Sequence, residues 1–269
     1  MLDLQAQNKK HKRFIMTKSA RLSEKLAKRE QLHGTILHVT GSSAMIEAIN
    51  EDYLDYVIFD MEHGIYNNEN LIPILQTCRL IDLPAFVRVP DCTYHHISRC
   101  LDLGAIGVMI PRAETLEQVA LAVSSMRFPP IGKKGRGGYC QLREGETSAD
   151  FQKNRHLLIQ MESPLGIENL PKMLEQYGEH IGGVLVGPYD LSFTMGIERQ
   201  FDSPEFIGAV QKVFDICKEY NISAGIFCDS IDDARKWRAM GANLMWVCCD
   251  DQLMRFGLRS QIKALADEV

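Results

Sequence analysis

The chain has 269 residues, 45% of them hydrophobic and 24% charged, which is enough apolar material for a large core and excludes disorder as the main state. No apolar run approaches the roughly 18–20 residues of a membrane span. The eight cysteines show no CxxC pair, no paired Cys/His spacing and no signal peptide upstream, so the reading is a reducing, cytoplasmic compartment.

Charge is uneven along the chain. Residues 1–30 carry nine Lys/Arg and three acids, while the remainder carries 21 and 32. The sequence therefore divides into a basic N-terminal arm over 1–30 and a larger acidic domain over 31–269. The arm lacks interleaved aromatics, so it reads as a helical extension and not as a nucleic-acid contact, with Phe14, Ile15, Leu22 and Leu26 packing on the body or on a neighbouring subunit.

From residue 34 one pattern recurs: a short run rich in Val, Ile and Leu, a turn, then an amphipathic stretch of helical length. The strand-like runs are "TILHV", "YVIFD", "AFVRV", "IGVMI", "LLIQME", "GVLVG", "SAGIF" and "LMWVC". Between them lie helix-like segments such as "NENLIPILQTCRL", "TLEQVALAVSSM" and "SPEFIGAVQKVFDICKEY". Runs that scarcely alternate belong to strands covered on both faces. Eight such units predict an α/β fold, a (β/α)8 TIM barrel of about the usual 250 residues. An open doubly wound sheet fits less well, because "HVTGSSAMIEA" after the first run offers a single glycine where GxGxxG would stand. The connection from Phe128 to His156 is longer than most, which reads as functional or mobile.

Barrel enzymes work at the C-terminal ends of their strands, and polar residues gather there. The second run ends in "FDMEHG", the third in "VRVP", the fifth in "IQMES" and the sixth in "GPYD", giving Asp60, Glu62, His63, Arg88, Gln160, Glu162 and Asp190. Gln160 and Glu162 are two apart and share a face, which places both inward and leaves Ile159 and Met161 toward the helices. Two facing acids on adjacent strands repel unless a cation lies between them, so Glu162 and Asp190 are candidate ligands of a divalent metal. Two carboxylates leave positions open to water and a chelating oxygen substrate, which suits Mg2+ or Mn2+, with Co2+ as a further candidate, and disfavours structural zinc. The bland alternative pairs each acid with an arginine or uses Asp190 to cap the following helix. Arg88 needs an anion, either a substrate carboxylate or enolate oxygen or a rim acid such as Asp60 or Asp102. His63 is a surface histidine or a general base oriented by Asp60. None of the eight runs contains lysine, which argues against imine chemistry.

Six motifs in order over roughly residues 33–260, "FDMEHG", "VRVP", "LDLGAIGVMIPRAETLEQ", "RFPPIGKKGRGG", "QMESPLGIENL" and "GPYDLSFTMG", resemble the HpcH/HpaI aldolase/citrate lyase family of class II, metal-dependent pyruvate aldolases. The resemblance implies a TIM barrel in a homo-oligomer whose last helix exchanges between subunits. It also implies a lyase that forms or cleaves 4-hydroxy-2-oxo acids through a pyruvate enolate, with pyruvate and an aldehyde as partners. By motif, Glu162 and Asp190 correspond to metal ligands, Arg88 to the group that steadies the enolate, and His63 to the base, with Asp60 beside it. Asp102 matches a further active-site position, while Gln160 and the backbone of Gly187, Pro188, Tyr189 and Asp190 correspond to the pyruvate carboxylate site. Four features depart from the pattern: Tyr189 where a small residue is common, Lys134 where arginine is common, "VCCDD" without its usual glycine, and the basic extension before residue 30, which has no counterpart. Two other readings stand beside this one, a related metal-enolate enzyme acting on acyl-CoA or phosphoenolpyruvate, and a non-catalytic barrel.

Overall fold

The structure is a computed structural model and describes residues 16–267. Eight parallel strands close into a barrel, each paired with its successor and the last with the first. They are β1 (Leu32–Leu37), β2 (Tyr56–Asp60), β3 (Ala85–Arg88), β4 (Gly107–Ile110), β5 (His156–Met161), β6 (Ile181–Val186), β7 (Ser223–Cys228) and β8 (Leu244–Cys249). Every run read as a strand is one. Burial explains why: all positions of β2, β3 and β4 are enclosed, since helices cover the outside and side chains fill the inside.

The helices are α1 (Lys18–Lys28), α2 (Ser43–Ala48), α3 (Leu71–Leu80), α4 (Tyr94–Asp102), α5 (Leu116–Met126), α6 (Ser148–Asn154), α7 (Pro164–Tyr177), α8 (Pro188–Thr194), α9 (Pro204–Glu219), α10 (Ile231–Ala239), α11 (Asp250–Leu258) and α12 (Ala264–Ala266). Helix α5 opens on a capping box between Thr115 and Gln118. Helix α3 begins three residues later than "NENLIPILQTCRL" suggests. The reason is local: Asn67 Oδ1 accepts the Glu69 and Asn70 amides, and Asn70 Oδ1 accepts the Asn67 amide, a side-chain turn that competes with helix.

Two apolar layers follow from strand alternation. Ile159 and Met161 join the outer layer between sheet and helices, while Leu158 joins the inner one with Tyr56, Phe86, Leu185 and Leu244. Gly34 is required in the inner layer, because a Cβ there would lie 2.3 Å from the ring of Tyr56. The Tyr56 hydroxyl in turn donates to Met245 O at 2.7 Å.

Helix α1 closes the N-terminal end of the barrel. Thr17 caps it, accepting from Ala20 N, and Leu22 and Leu26 are buried in the inner layer. Ser223 Oγ donates to Leu26 O, and Ser23 Oγ lies 2.8 Å from His156 Nε2. Burial, with Arg127 and Arg155 nearby, pushes His156 down to about 3. The expected packing of Leu22 and Leu26 on the body is thus present, whereas Phe14 and Ile15 lie outside the described residues.

The long connection between α5 and β5 runs at this same end, where every helix-to-strand turn lies, and it is anchored. Arg155 grips Glu146 with both terminal nitrogens at 2.8 Å, Lys134 Nζ reaches Asp102 at 2.6 Å, and Arg79 donates to the carbonyls of Cys140 and Leu142. Its anchors thus lie at the helix ends of this face and not over the C-terminal ends of the strands.

Candidate active site

A cavity of about 270 Å³ opens at the C-terminal ends of the strands. It is lined by His63, Arg88, Gln160, Glu162, Gly187, Pro188, Tyr189 and Asp190, all of them residues singled out in the sequence. Register explains one part of this convergence. Asp60 and Arg88 are paired terminal residues of β2 and β3, so their side chains meet. Arg88 Nε and Nη2 donate to Asp60 Oδ1 and Oδ2 at 2.7 and 2.6 Å, and Nη1 lies 3.2 Å from Glu62 Oε2. Arg88 is thus held on one side by Asp60, has Glu62 beside Nη1, and lines the cavity.

Asp60 does not orient His63. It is fully buried, and the ring that stands against it is that of His38, just after β1, whose Nε2 lies 3.0 Å from Oδ2. Burial opposes ionisation of Asp60, but hydrogen bonds from His38 and Arg88 outweigh it and hold the carboxyl well below the usual range. The His63 ring is 58% exposed, with Nε2 3.8 Å from Glu62 Oε2, and only its backbone N–H approaches Asp60. The two histidines thus divide what sequence assigned to one: His38 stands against the buried acid, and His63 is exposed at the lip.

Glu162 follows β5 directly. Its Oε1 takes Gln160 Nε2 at 2.5 Å and its Oε2 takes the backbone N–H of Arg112 at 3.0 Å. Burial pushes Glu162 up to about 7, the Arg112 amide pulls it down, and the charge of Asp190 pushes it up again. A Cβ at Gly187 would lie 2.4 Å from Glu162 Oε1, so glycine is what lets the carboxylate stand there. Gln160 Oε1 is buried with no partner among the described residues.

Asp190 sits in the first turn of α8 but does not cap it, since the cap position is Gly187. Its Oδ1 instead lies 3.4 Å from Arg112 Nη2, so one residue touches both acids. Arg112 adopts φ +46, in the left-handed region that a non-glycine residue rarely occupies. This donor set fits a hard divalent ion: a deep carboxylate, a shallower one, an unpartnered amide oxygen and room made by a glycine. Glu162 and Asp190 are the residues that would hold it.

Two expectations change. Asp102 is not in the cavity, because as the last residue of α4 it is carried to the opposite end of the barrel, where it receives Lys134 Nζ and Gln141 Nε2. Of the four backbone amides of "GPYD", Gly187 N–H is spent on Met161 O and Pro188 has none, which leaves Tyr189 and Asp190. Tyr189 donates its hydroxyl to Asp229, which also takes Gln252 Nε2 at 2.7 Å, and Arg199 stacks on its ring at 5.0 Å.

Sequence reasoning missed His38, Arg112, Asp229, Trp246, Cys249 and Gln252, which lie in or beside the cavity. His38 and Cys249 were inside or at the edge of apolar runs, and no local spacing links residues so far apart in the chain. Trp246, an inner-layer residue of β8, keeps its Nε1 buried without a partner among the described residues.

Residues 35–255 match the family model described as HpcH/HpaI aldolase/citrate lyase. A 5-keto-4-deoxy-D-glucarate aldolase of Klebsiella pneumoniae is 32% identical over 217 residues, covering 79% of this chain and 82% of the relative. Among solved structures, an HpcH/HpaI aldolase from Desulfitobacterium hafniense superposes with a TM-score of 0.83 at 24% identity, covering 91% of this chain and 96% of that one. An aldolase/citrate lyase family protein from Burkholderia cenocepacia gives 0.81 at 26% identity, with 91% and 99% covered.

Proposed function

Because the chain belongs to the HpcH/HpaI aldolase/citrate lyase family and is by descent a carbon–carbon lyase, we propose that it is a divalent-metal-dependent aldolase that forms or cleaves 4-hydroxy-2-oxo acids through a pyruvate enolate. The observation that carries this reading is the convergence of Glu162 and Asp190 on Arg112 in the cavity that also holds Arg88.

When bound, an Mg2+, Mn2+ or Co2+ ion supplies Lewis acidity to the keto group of the 2-oxo acid. The protein's own groups do the rest. Glu162 must shed the proton that burial favours before it can act as a ligand. The Tyr189 and Asp190 amides, with Gln160, receive the substrate carboxylate. Arg88, held rigid by Asp60, donates from its Nη1 edge to the oxygen where enolate charge grows, a placement that stabilises the transition state more than the ground state. His63, exposed at the lip and bound by no buried acid, takes the methyl proton and returns it. Among the described residues no lysine lines the cavity, so the reading gives no step to an imine.

Nothing at the cavity among the described residues favours acyl-CoA. Lys133, Lys134, Arg136 and Arg143 belong to the connection at the other end, where Lys134 and Arg143 pair with Asp102 and Asp82. A non-catalytic barrel would not need an acid raised by burial and left beside another acid.

A homo-oligomer is supported by the C-terminal helical stretch. No residue of α11 or α12 is buried, and Leu253, Met254, Phe256, Leu258, Ile262 and Leu265 are each at least 43% exposed. No helix among the described residues is long and apolar enough to cross a membrane. Eight free cysteines support a cytoplasmic location.

The test is proton NMR of pyruvate in heavy water with Mg2+ or Mn2+. Methyl exchange is expected, abolished by chelator and lowered at least about 10³-fold in Glu162→Ala or Asp190→Ala, the equivalent of several kcal/mol of Lewis-acid stabilisation. Absence of exchange with Mg2+, Mn2+ and Co2+ alike would overturn the reading. The Klebsiella relative makes 5-keto-4-deoxy-D-glucarate the first cleavage substrate to assay.

A further inference from the structure

The "VCCDD" segment takes no part in the chemistry above, yet its backbone is unusual. Strand β8 pairs with β1 as Trp246 opposite Gly34 and then Cys249 opposite Ile36, so β8 carries one extra residue in this interval. Cys248 absorbs it at φ +55, a left-handed conformation that costs a non-glycine residue strain. The consequence is directional. Strict alternation would send Cys248 inward after Trp246, but the bulge sends Cys249 instead, and Trp246 and Cys249 both line the cavity.

The inward thiol meets other donors. Cys249 Sγ donates to Asp251 Oδ1 at 2.8 Å. One imidazole nitrogen of His38, the Cys249 sulfur and a carboxylate oxygen of Asp251 all lie within 4.8 Å of one another. Backbone contacts fix this trio. Asp250, between the two, accepts the amides of His38, Val39 and Thr40 at 2.9, 3.0 and 2.7 Å, which binds the end of β1 to the start of α11. Behind His38 stands the buried carboxylate of Asp60, its Oδ2 3.0 Å from Nε2.

We propose that His38, Cys249 and Asp251 form a second metal site, selective for a thiophilic divalent ion of the zinc class. A nitrogen, sulfur and oxygen set suits Zn2+ and discriminates against Mg2+ and Mn2+, the ions that suit an all-oxygen pair such as Glu162 and Asp190. Three protein ligands leave one position of a tetrahedron open. His38 and Cys249 line the cavity, so that position faces into it from the β8–β1 wall, across the barrel from β5 and β6. An ion there would offer a second handle for an oxygen at the far end of a bound molecule. On binding, a sulfur–metal bond forms and the thiol proton leaves to solvent. Asp251 keeps its Oδ2 contact with Arg255 and gives Oδ1 to the metal.

The proposal does not rest on the lyase reading, and a spectroscopic test keeps them apart. Titration of metal-free protein with Co2+ is expected to produce a near-ultraviolet thiolate-to-cobalt charge-transfer band that saturates with one thiolate-bound ion per chain, is displaced by Zn2+ and persists in excess Mg2+. The band should vanish in Cys249→Ser and survive in the Glu162→Ala/Asp190→Ala double variant. Affinity for Zn2+ should fall at least about tenfold in His38→Ala, since even groups standing behind a ligand cost that much when removed. No band in the unaltered protein, or one undiminished by Cys249→Ser, overturns the proposal. Should Cys249→Ser fail to fold, alkylation of the unaltered protein decides: Zn2+ must shield Cys249 from iodoacetamide, and equal labelling with and without Zn2+ overturns it.

Discussion

At the N-terminal end of the barrel Arg155 meets Glu146 through two contacts of 2.8 Å, Lys134 meets Asp102 at 2.6 Å, and α1 lays Leu22 and Leu26 over the interior. At the C-terminal end Glu162 is equally enclosed, yet it faces another acid, takes only N–H donors from Gln160 and a backbone amide, and is pushed up to about 7. Arg155 and Lys134 at the first end are matched by acids within the chain. Glu162 at the second, unlike its neighbour Asp60, has no such partner and waits for something from outside. The same barrel thus separates what holds it together from what it works with, as residues at the two ends of strands do in this architecture.

Breaking the matched end should cost stability and leave chemistry alone. Arg155→Ala strands Glu146 as a buried, uncompensated carboxylate and is expected to destabilise the protein by about 3–5 kcal/mol in urea unfolding. Pyruvate methyl exchange should be unchanged at temperatures where the variant is folded. A loss of exchange with unaltered stability would mean that the floor takes part in the reaction.

The waiting end should behave in the opposite sense. Burial lifts Glu162 from the ordinary 4.5 to about 7, so between those values the native chain keeps a proton that the unfolded chain has released. Stability of the metal-free protein therefore falls as pH rises from about 4.5 to about 7, and the loss persists above. Glu162→Gln removes that loss, with an expected gain of about 3 kcal/mol at pH 8 and none at pH 4. Urea midpoints in chelator at the two pH values check it, and a gain that is the same at both would show that ionisation of Glu162 is not the cause.

Arg88→Lys sharpens the comparison within the cavity itself. An ammonium cannot span both oxygens of Asp60 and still present a donor edge to substrate. A fall of about 10²-fold in kcat is expected, measured under saturating pyruvate and metal. An unchanged kcat would show that the arginine serves only the ion pair.

Much of this was readable beforehand where burial writes itself into composition. Strands covered on both faces become uninterrupted runs of Val, Ile and Leu, and a polar residue ending such a run is conspicuous, which is how Arg88, Gln160, Glu162 and Asp190 could be picked out. Period-two alternation then assigned Gln160 and Glu162 to the inside and Met161 to the helices, as found. What failed to show were facts made by closure. His38 reaches Asp60 because β1 lies beside β2, and Cys249 turns inward because of a bulge that alternation cannot express. Asp102 was legible as an acid but not as one delivered to the far end by its helix.

The left-handed turn at Arg112 has a consequence for how such a pocket can diverge. It holds the deep acid through its main chain and the shallow one through its side chain. Replacing the residue type rewrites the charge poised above Asp190, while the peptide group that anchors Glu162 stays in place as long as the turn survives. Tuning and anchoring are thereby carried by separate parts of a single amino acid, so the side chain at this position can change while the amide that holds the inner acid is kept.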